Sequence, residues 1–156
     1  MRFLAMLLFA MILAGSACGP YYFYDEQFTI DDAKWVYADT IEFNFDIADT
    51  IATYDLMLDV DHSTSYAYQN IYVKIFTTFP DGTRLQQEVP IDFADSKGAW
   101  YGKCGSTMCN LRVMLQEGAH FDQIGRHQLR IIQFMRIDPL PGIRAIALKL
   151  DKKQDI

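Results

Sequence analysis

The chain lacks most of what an enzyme, a nucleic-acid binder or a membrane-spanning protein would need. It has no basic cluster, and its 14 Lys and Arg face 20 Asp and Glu. That balance argues against nucleic acid and against electrostatic docking on anionic lipid. It has only three cysteines and three histidines. The histidines, His62, His120 and His127, lie in unrelated stretches, and no serine or cysteine sits in a nucleophile elbow. No catalytic residue and no cofactor is therefore expected. Cys104 and Cys109 are close in sequence but have no second pair of ligands nearby, which leaves half of a zinc tetrahedron and no expected metal site. No apolar run is long either. The longest, Phe3 to Leu13, would span about 16 Å as a helix, roughly half of a ~30 Å hydrocarbon core. Amphipathic helices, internal repeats and low-complexity linkers are also missing.

What the N-terminus does contain is a signal peptide over residues 1–17. Arg2 supplies the positive start, Phe3 to Leu13 the apolar middle, and Ala14-Gly15-Ser16-Ala17 the small side chains a signal peptidase requires. Gly15-Ser16-Ala17 suits the general signal peptidase and simple secretion. Cys18, directly after the small residues, suits a lipoprotein, although Gly15 stands where the usual lipobox has Leu. Lipidation at Cys18 is the preferred reading, with acyl chains such as palmitate holding the protein to a membrane. Several chains on one cysteine would hold firmly where one binds only marginally. Cys104 and Cys109 then remain as an even pair in an oxidising compartment. A disulfide between them, worth about 2 kcal/mol by loop closure, ranks ahead of two free thiols, and a metal ranks last.

Residues 18–35 read as a lipidated tether. Gly19-Pro20 breaks regular structure, and Tyr21-Tyr22-Phe23-Tyr24 either lies at the bilayer interface or covers the domain. Residues 36–156 read as one domain dominated by period two. Ile41, Phe43, Phe45 and Ile47 alternate with polar residues, as do Tyr54, Leu56, Leu58 and Val60 against Asp55, Met57, Asp59 and Asp61. Ile71, Val73, Ile75 and Phe79 follow, then Leu85, Val89, Ile91 and Phe93, with Pro90 suggesting an edge strand. Pro80-Asp81-Gly82 predicts a hairpin turn. Later strands are predicted at Leu111 to Leu115, Leu129 to Met135 and Ile143 to Leu150, the last two joined by the stiff Asp138-Pro139-Leu140-Pro141-Gly142. The expectation is an all-β fold, an antiparallel sandwich of about seven or eight strands, jelly-roll or Ig-like.

Three patterns invite a chemical reading and lose to a plainer one. Carboxylates are plentiful enough for a glycosidase pair, but they fall on the polar strand faces, where solubility alone requires them. Asp59-Val60-Asp61-His62-Ser63 opens like a calcium loop. It has Thr64 where the sharp turn needs Gly and Asn70 where a closing Glu belongs, so it reads as a strand end. Trp35, Trp100 and Tyr101 could be sugar-stacking platforms if exposed, whereas Trp in a small sandwich is more often packed. Glycan binding is thus the alternative function.

Several segments together resemble the GldH family of gliding-motility lipoproteins found in the Bacteroidetes. They are Thr77-Thr78-Phe79-Pro80-Asp81-Gly82, Ala94-Asp95 with Gly98-Ala99-Trp100-Tyr101-Gly102, and Met135-Arg136-Ile137-Asp138-Pro139-Leu140-Pro141-Gly142-Ile143. Trp35, Asp39, Phe43, Phe45, Asp49, Tyr54, Leu56, Leu58 and Tyr66-Ala67-Tyr68-Gln69-Asn70 extend the resemblance over nearly the whole mature chain. Lys103 to Asn110, with both cysteines, departs from the family's glycine-rich stretch, and Asp61 stands where a basic residue is expected. The resemblance implies a non-enzymatic accessory or structural lipoprotein of the outer membrane. It also implies a role in gliding, association with the type IX secretion apparatus, and other envelope proteins as partners. Lipoproteins sent to the cell surface in the Bacteroidetes commonly resemble one another in an acidic run after the cysteine, and since none directly follows Cys18 the protein is expected to face the periplasm.

Overall fold

The computed structural model describes residues 21–153; the expected signal peptide and Cys18 lie outside the described residues. Eight strands of six residues or more form the fold: β1 (Tyr24–Thr29), β3 (Ile41–Ile47), β4 (Thr53–Ser63), β5 (Asn70–Thr78), β6 (Arg84–Asp92), β8 (Met108–His120), β9 (Gly125–Gln133) and β11 (Ile143–Lys152). Three two-residue strands, β2 (Lys34–Trp35), β7 (Lys103–Cys104) and β10 (Leu140–Pro141), and a 3₁₀ turn at Asp31–Ala33 complete the described residues.

One sheet has the order β1-β11-β4-β8-β7 and the other β3-β9-β5-β6, and every pairing is antiparallel. β2 and β10 form a separate ribbon. Numbered one to eight, the long strands run 1-8-3-6 in one layer and 2-7-4-5 in the other. Each consecutive pair therefore crosses between layers, except β5 and β6. That winding is a jelly roll, a double-sheet solution to the exposed-edge problem.

Alternation places the core. On β3, Ile41, Phe43, Phe45 and Ile47 are buried while Glu42 and Asp46 are exposed. Opposite them, Leu56, Leu58 and Val60 of β4 and Ile146, Leu148 and Leu150 of β11 close the same core. Each such side chain contributes about 1.5–3 kcal/mol on leaving water. β5 and β6 are joined by the turn at Pro80-Asp81-Gly82. There the Phe79 carbonyl accepts from Gly82 N–H at 2.9 Å and Asp81 Oδ1 from Thr83 N–H at 2.8 Å. β6, with Pro90, is the sheet edge.

Two sequence expectations change. The tether expected over 18–35 is shorter, because Tyr24–Thr29 pairs along β11 from Tyr24↔Leu150 to Thr29↔Ala145. Trp35, fully buried, belongs to the core, so the domain begins well before residue 36. β1 hides its strand character because it is an edge strand, half-buried only at Tyr24, and can carry charge on most positions. The strand expected from Leu129 to Met135 instead runs Gly125–Gln133. Beyond it the Gln133 side chain replaces the ladder, accepting from Met135 N–H at 2.8 Å and donating to the Ile137 carbonyl at 3.1 Å.

Candidate functional site

The residues singled out by sequence do not converge. Cys104 and Cys109 are joined by a disulfide that ties the β7 edge to β8. Just before it, Gly102 has φ +82, and a Cβ there would overlap the Asn110 carbonyl oxygen. The glycine is thus required by a close backbone approach. Trp35 is not a stacking platform: it is walled into the core, with Nε1 donating to the Asp39 carbonyl at 2.8 Å. Trp100 is half-buried with its ring centroid 4.8 Å from that of His62, and Tyr101 stands exposed.

His62 and His127 are buried and make no common site. His62 stacks on Phe93 at 4.5 Å between centroids, and His127 on Phe45 at 5.7 Å. Nδ1 of His62 donates to the Ser63 carbonyl at 3.0 Å, while Nε2 has no partner. Burial pushes the His62 imidazole below its ordinary value, against smaller opposing effects from Ser63 and Asp61. An imidazole held neutral inside a ring stack serves packing. Asp59 to Asn70 is strand and loop, and no metal-holding group of His, Cys, Asp or Glu occurs among the described residues.

Two surfaces remain. The first is the outer face of the five-stranded sheet, where the alternate residues of β4 and β8 meet. Arg112 donates through Nε and Nη2 to the two Asp59 carboxylate oxygens at 2.7 Å each, and through Nη1 to Tyr22 Oη at 2.6 Å. Lys149 lies 2.5 Å from Asp25. Asp55 accepts from Gly118 N–H at 2.9 Å and from Lys153 at 2.7 Å, both holding its carboxyl below the usual range, Lys153 most. A groove of about 640 Å³ runs over the part of this face formed by Tyr22, Asp25, Asp59, Arg112 and Lys149, with Lys103 at its side. Asp25, Asp59, Arg112 and Lys149 pair with one another there, an arrangement that fastens Tyr22 and β1 to the domain.

The second is a cleft of about 510 Å³ lined by Tyr68, Tyr72, Glu88, Phe134, Met135, Arg136 and Ile137. Tyr72 is 44% exposed and Phe134 43%, high values for large rings. Backbone bonds fix both: Phe134 N–H donates to the Tyr72 carbonyl at 2.7 Å, and Tyr72 N–H to Met135 Sδ at 3.3 Å. The loop beyond is held by Tyr37, whose N–H donates to Asp138 Oδ1 at 3.0 Å and whose hydroxyl donates to the Met135 carbonyl at 2.5 Å. Lys74 lies 3.7 Å over the Phe134 ring and 3.3 Å from Glu88. Two resembling segments distant in sequence, Tyr66 to Asn70 and Met135 to Ile143, both contribute lining residues. Tyr72 and Phe134 escaped the sequence reading. The available signal was an aromatic on the polar phase of a strand, Tyr72 between the inward Ile71 and Val73.

Comparison with known proteins is consistent across the chain. The profile of the family described as GldH lipoprotein matches residues 22–150. A curated relative, "Gliding motility lipoprotein GldH homolog" of Christiangramia forsetii, is 25% identical over 157 aligned residues, covering 96% of this chain and 95% of that protein. Among solved structures, a chain of the infectious bursal disease virus Gx strain aligns with 85% of this chain and 34% of its own length. Its 16% identity and TM-score of 0.31 are too slight to bear on fold or function.

Proposed function

As the chain belongs to the GldH lipoprotein family of gliding motility, we propose that it is an outer-membrane lipoprotein. In this reading it is anchored through Cys18, faces the periplasm, and serves as a non-enzymatic accessory or structural component of the gliding machinery associated with type IX secretion. The observation that carries this reading is the family match over nearly all of the described domain. The signal-peptide pattern of residues 1–17, followed directly by Cys18, supports the anchor, and the chain between Cys18 and Tyr24, without an acidic run directly after the cysteine, supports the periplasmic side. The pairing of Arg112 with Asp59 and of Lys149 with Asp25, and the burial of His62 and His127 in separate ring clusters, favour a binding or structural role over catalysis.

The test is genetic. Deleting the gene in a gliding strain is expected to abolish spreading on agar and to reduce type IX cargo in the medium. A wild-type copy restores both and a Cys18→Ser copy restores neither. Normal spreading and secretion after deletion would sink the motility reading. Mass spectrometry of the mature N-terminus checks the anchor separately: a diacylated Cys18 is expected, and an unmodified Cys18 or a start at Ser16 or Ala17 would refute it. Protease added to intact cells is expected to leave the domain uncut.

A further inference from the structure

We infer that the cleft of Tyr68, Tyr72 and Phe134 is a carbohydrate site, taking a flat, equatorially linked oligosaccharide of the envelope. This goes beyond the motility reading and stands apart from it. Pyranose rings whose substituents are all equatorial present C–H-rich faces above and below, and these pack on exposed aromatic rings. Their hydroxyls and acetamido groups then need planar charged or amide partners at the rim.

The cleft supplies both kinds of group. Tyr68, Tyr72 and Phe134 give the apolar wall, Ile137 extends it, and Glu88 and Arg136 stand beside it. A carboxylate and a guanidinium are the side chains suited to paired hydrogen bonds. The rings are presented rather than collapsed. Tyr72 lies at an outward position of β5, directly opposite Pro90 of β6, whose ring cannot continue the ladder outward. Lys74 covers one side of Phe134 and holds the Glu88 carboxylate at 3.3 Å, beside the wall. The cleft volume of about 510 Å³ falls in the ordinary range for small-ligand pockets, roughly 300–1,000 Å³.

A protein partner is the competing occupant, since Tyr, Phe, Met and Arg are the usual residues of an interface centre. A stable interface covers roughly 800 Å² on each side, and here the apolar wall ends quickly. Along the same sheet face Lys74 and Glu88 are paired, Arg130 lies over Phe76, and Glu42 with Asn44 binds Gln128. A small apolar wall bounded by polar groups suits a sugar better than a protein.

The test is calorimetric titration of the full lipidated protein in detergent with chitohexaose and cellohexaose, and with maltohexaose as the axially linked control. At least one of the first two is expected to bind with a dissociation constant on the order of 0.1–1 mM, with maltohexaose about 10-fold weaker or more. Tyr72→Ala and Phe134→Ala are each expected to weaken binding about 10-fold, the equivalent of about 1.4 kcal/mol. Tyr72→Phe, which keeps the ring, should stay within about threefold of the parent. Circular dichroism confirms that each variant is folded, and Arg136→Ala, an exposed rim substitution expected to weaken binding about threefold or more, covers the case in which an alanine ring variant is not. No heat with either equatorially linked sugar overturns the assignment. So does binding that the alanine variants leave intact, and so does a silent titration in which those variants instead lose a protein that co-purifies with the parent.

Discussion

Acidification tests the reading of His62 as a packed, neutral ring. Its imidazole lies fully buried on Phe93, with Nε2 unpartnered, and burial holds its proton affinity down. The unfolded chain titrates this histidine near its ordinary value of about 6.5, whereas the folded chain takes up the proton only at lower pH. Stability is therefore full above that value, declines as the pH falls towards the folded value, and then levels off. The slope within the window is at most about 1.4 kcal/mol per pH unit, so moving from pH 7.5 to 5.5 removes up to about 1.4 kcal/mol through this residue. His62→Phe keeps a ring against Phe93 and Trp100 and removes the unpartnered nitrogen. The Ser63 carbonyl still accepts from Tyr66 N–H at 3.0 Å, so the substitution strands no acceptor. Urea unfolding of both proteins at the two pH values gives the comparison, because the two chains differ at this residue alone. The variant should lose less stability on acidification than the parent, by as much as that amount. Equal losses would refute the account of His62, and a greater loss in the variant would do so more firmly.

Other expectations concern stability. Replacing Cys104 and Cys109 by Ser is expected to cost about 2 kcal/mol through the small closed loop, read as a lower urea midpoint. A variant unfolding with the parent would mean the clip contributes nothing. Gly82→Ala, at φ +84 with open space around it, should cost about 1–2 kcal/mol from backbone strain alone. Gly102→Ala should cost clearly more, because its Cβ meets the Asn110 carbonyl, and equal melting temperatures for the two would contradict the close approach. Asp59→Asn should lower stability by about 1–2 kcal/mol, the scale of a charged hydrogen bond discounted for the exposed half of Arg112. An unchanged chemical midpoint would show that the network adds nothing.

Strand content was legible because one face of most strands is buried: the alternations at Ile41 to Ile47 and Tyr54 to Val60 leave no other periodicity. The turn at Pro80-Asp81-Gly82 and the edge position of Pro90 were legible because each is written in local backbone chemistry. Pairing was not. Only β5 and β6, among the long strands, are sequence neighbours within one sheet, and the rest find partners across the chain. β1 stayed hidden because its partner β11 lies at the other end of the sequence and supplies the hydrogen bonds that its charged pattern does not advertise. Trp35 and Trp100 drew attention by residue type, yet exposure is a property of the packed fold. Tyr72 and Phe134 become neighbours only when β5 and β9 pair.

The union of the first long strand with the last also decides how the molecule meets traction. A pull on the chain ahead of Tyr24 enters the domain at the Tyr24↔Leu150 end of β1. Directed along the strand, it loads the six-residue ladder with β11 in shear, so the bonds share the force. Directed sideways, it peels them apart one at a time. Phe23 against Tyr54 and Tyr22 beneath Arg112 are the first contacts such a force would strip. A domain tethered at this end thus grips best when dragged along its own strand axis.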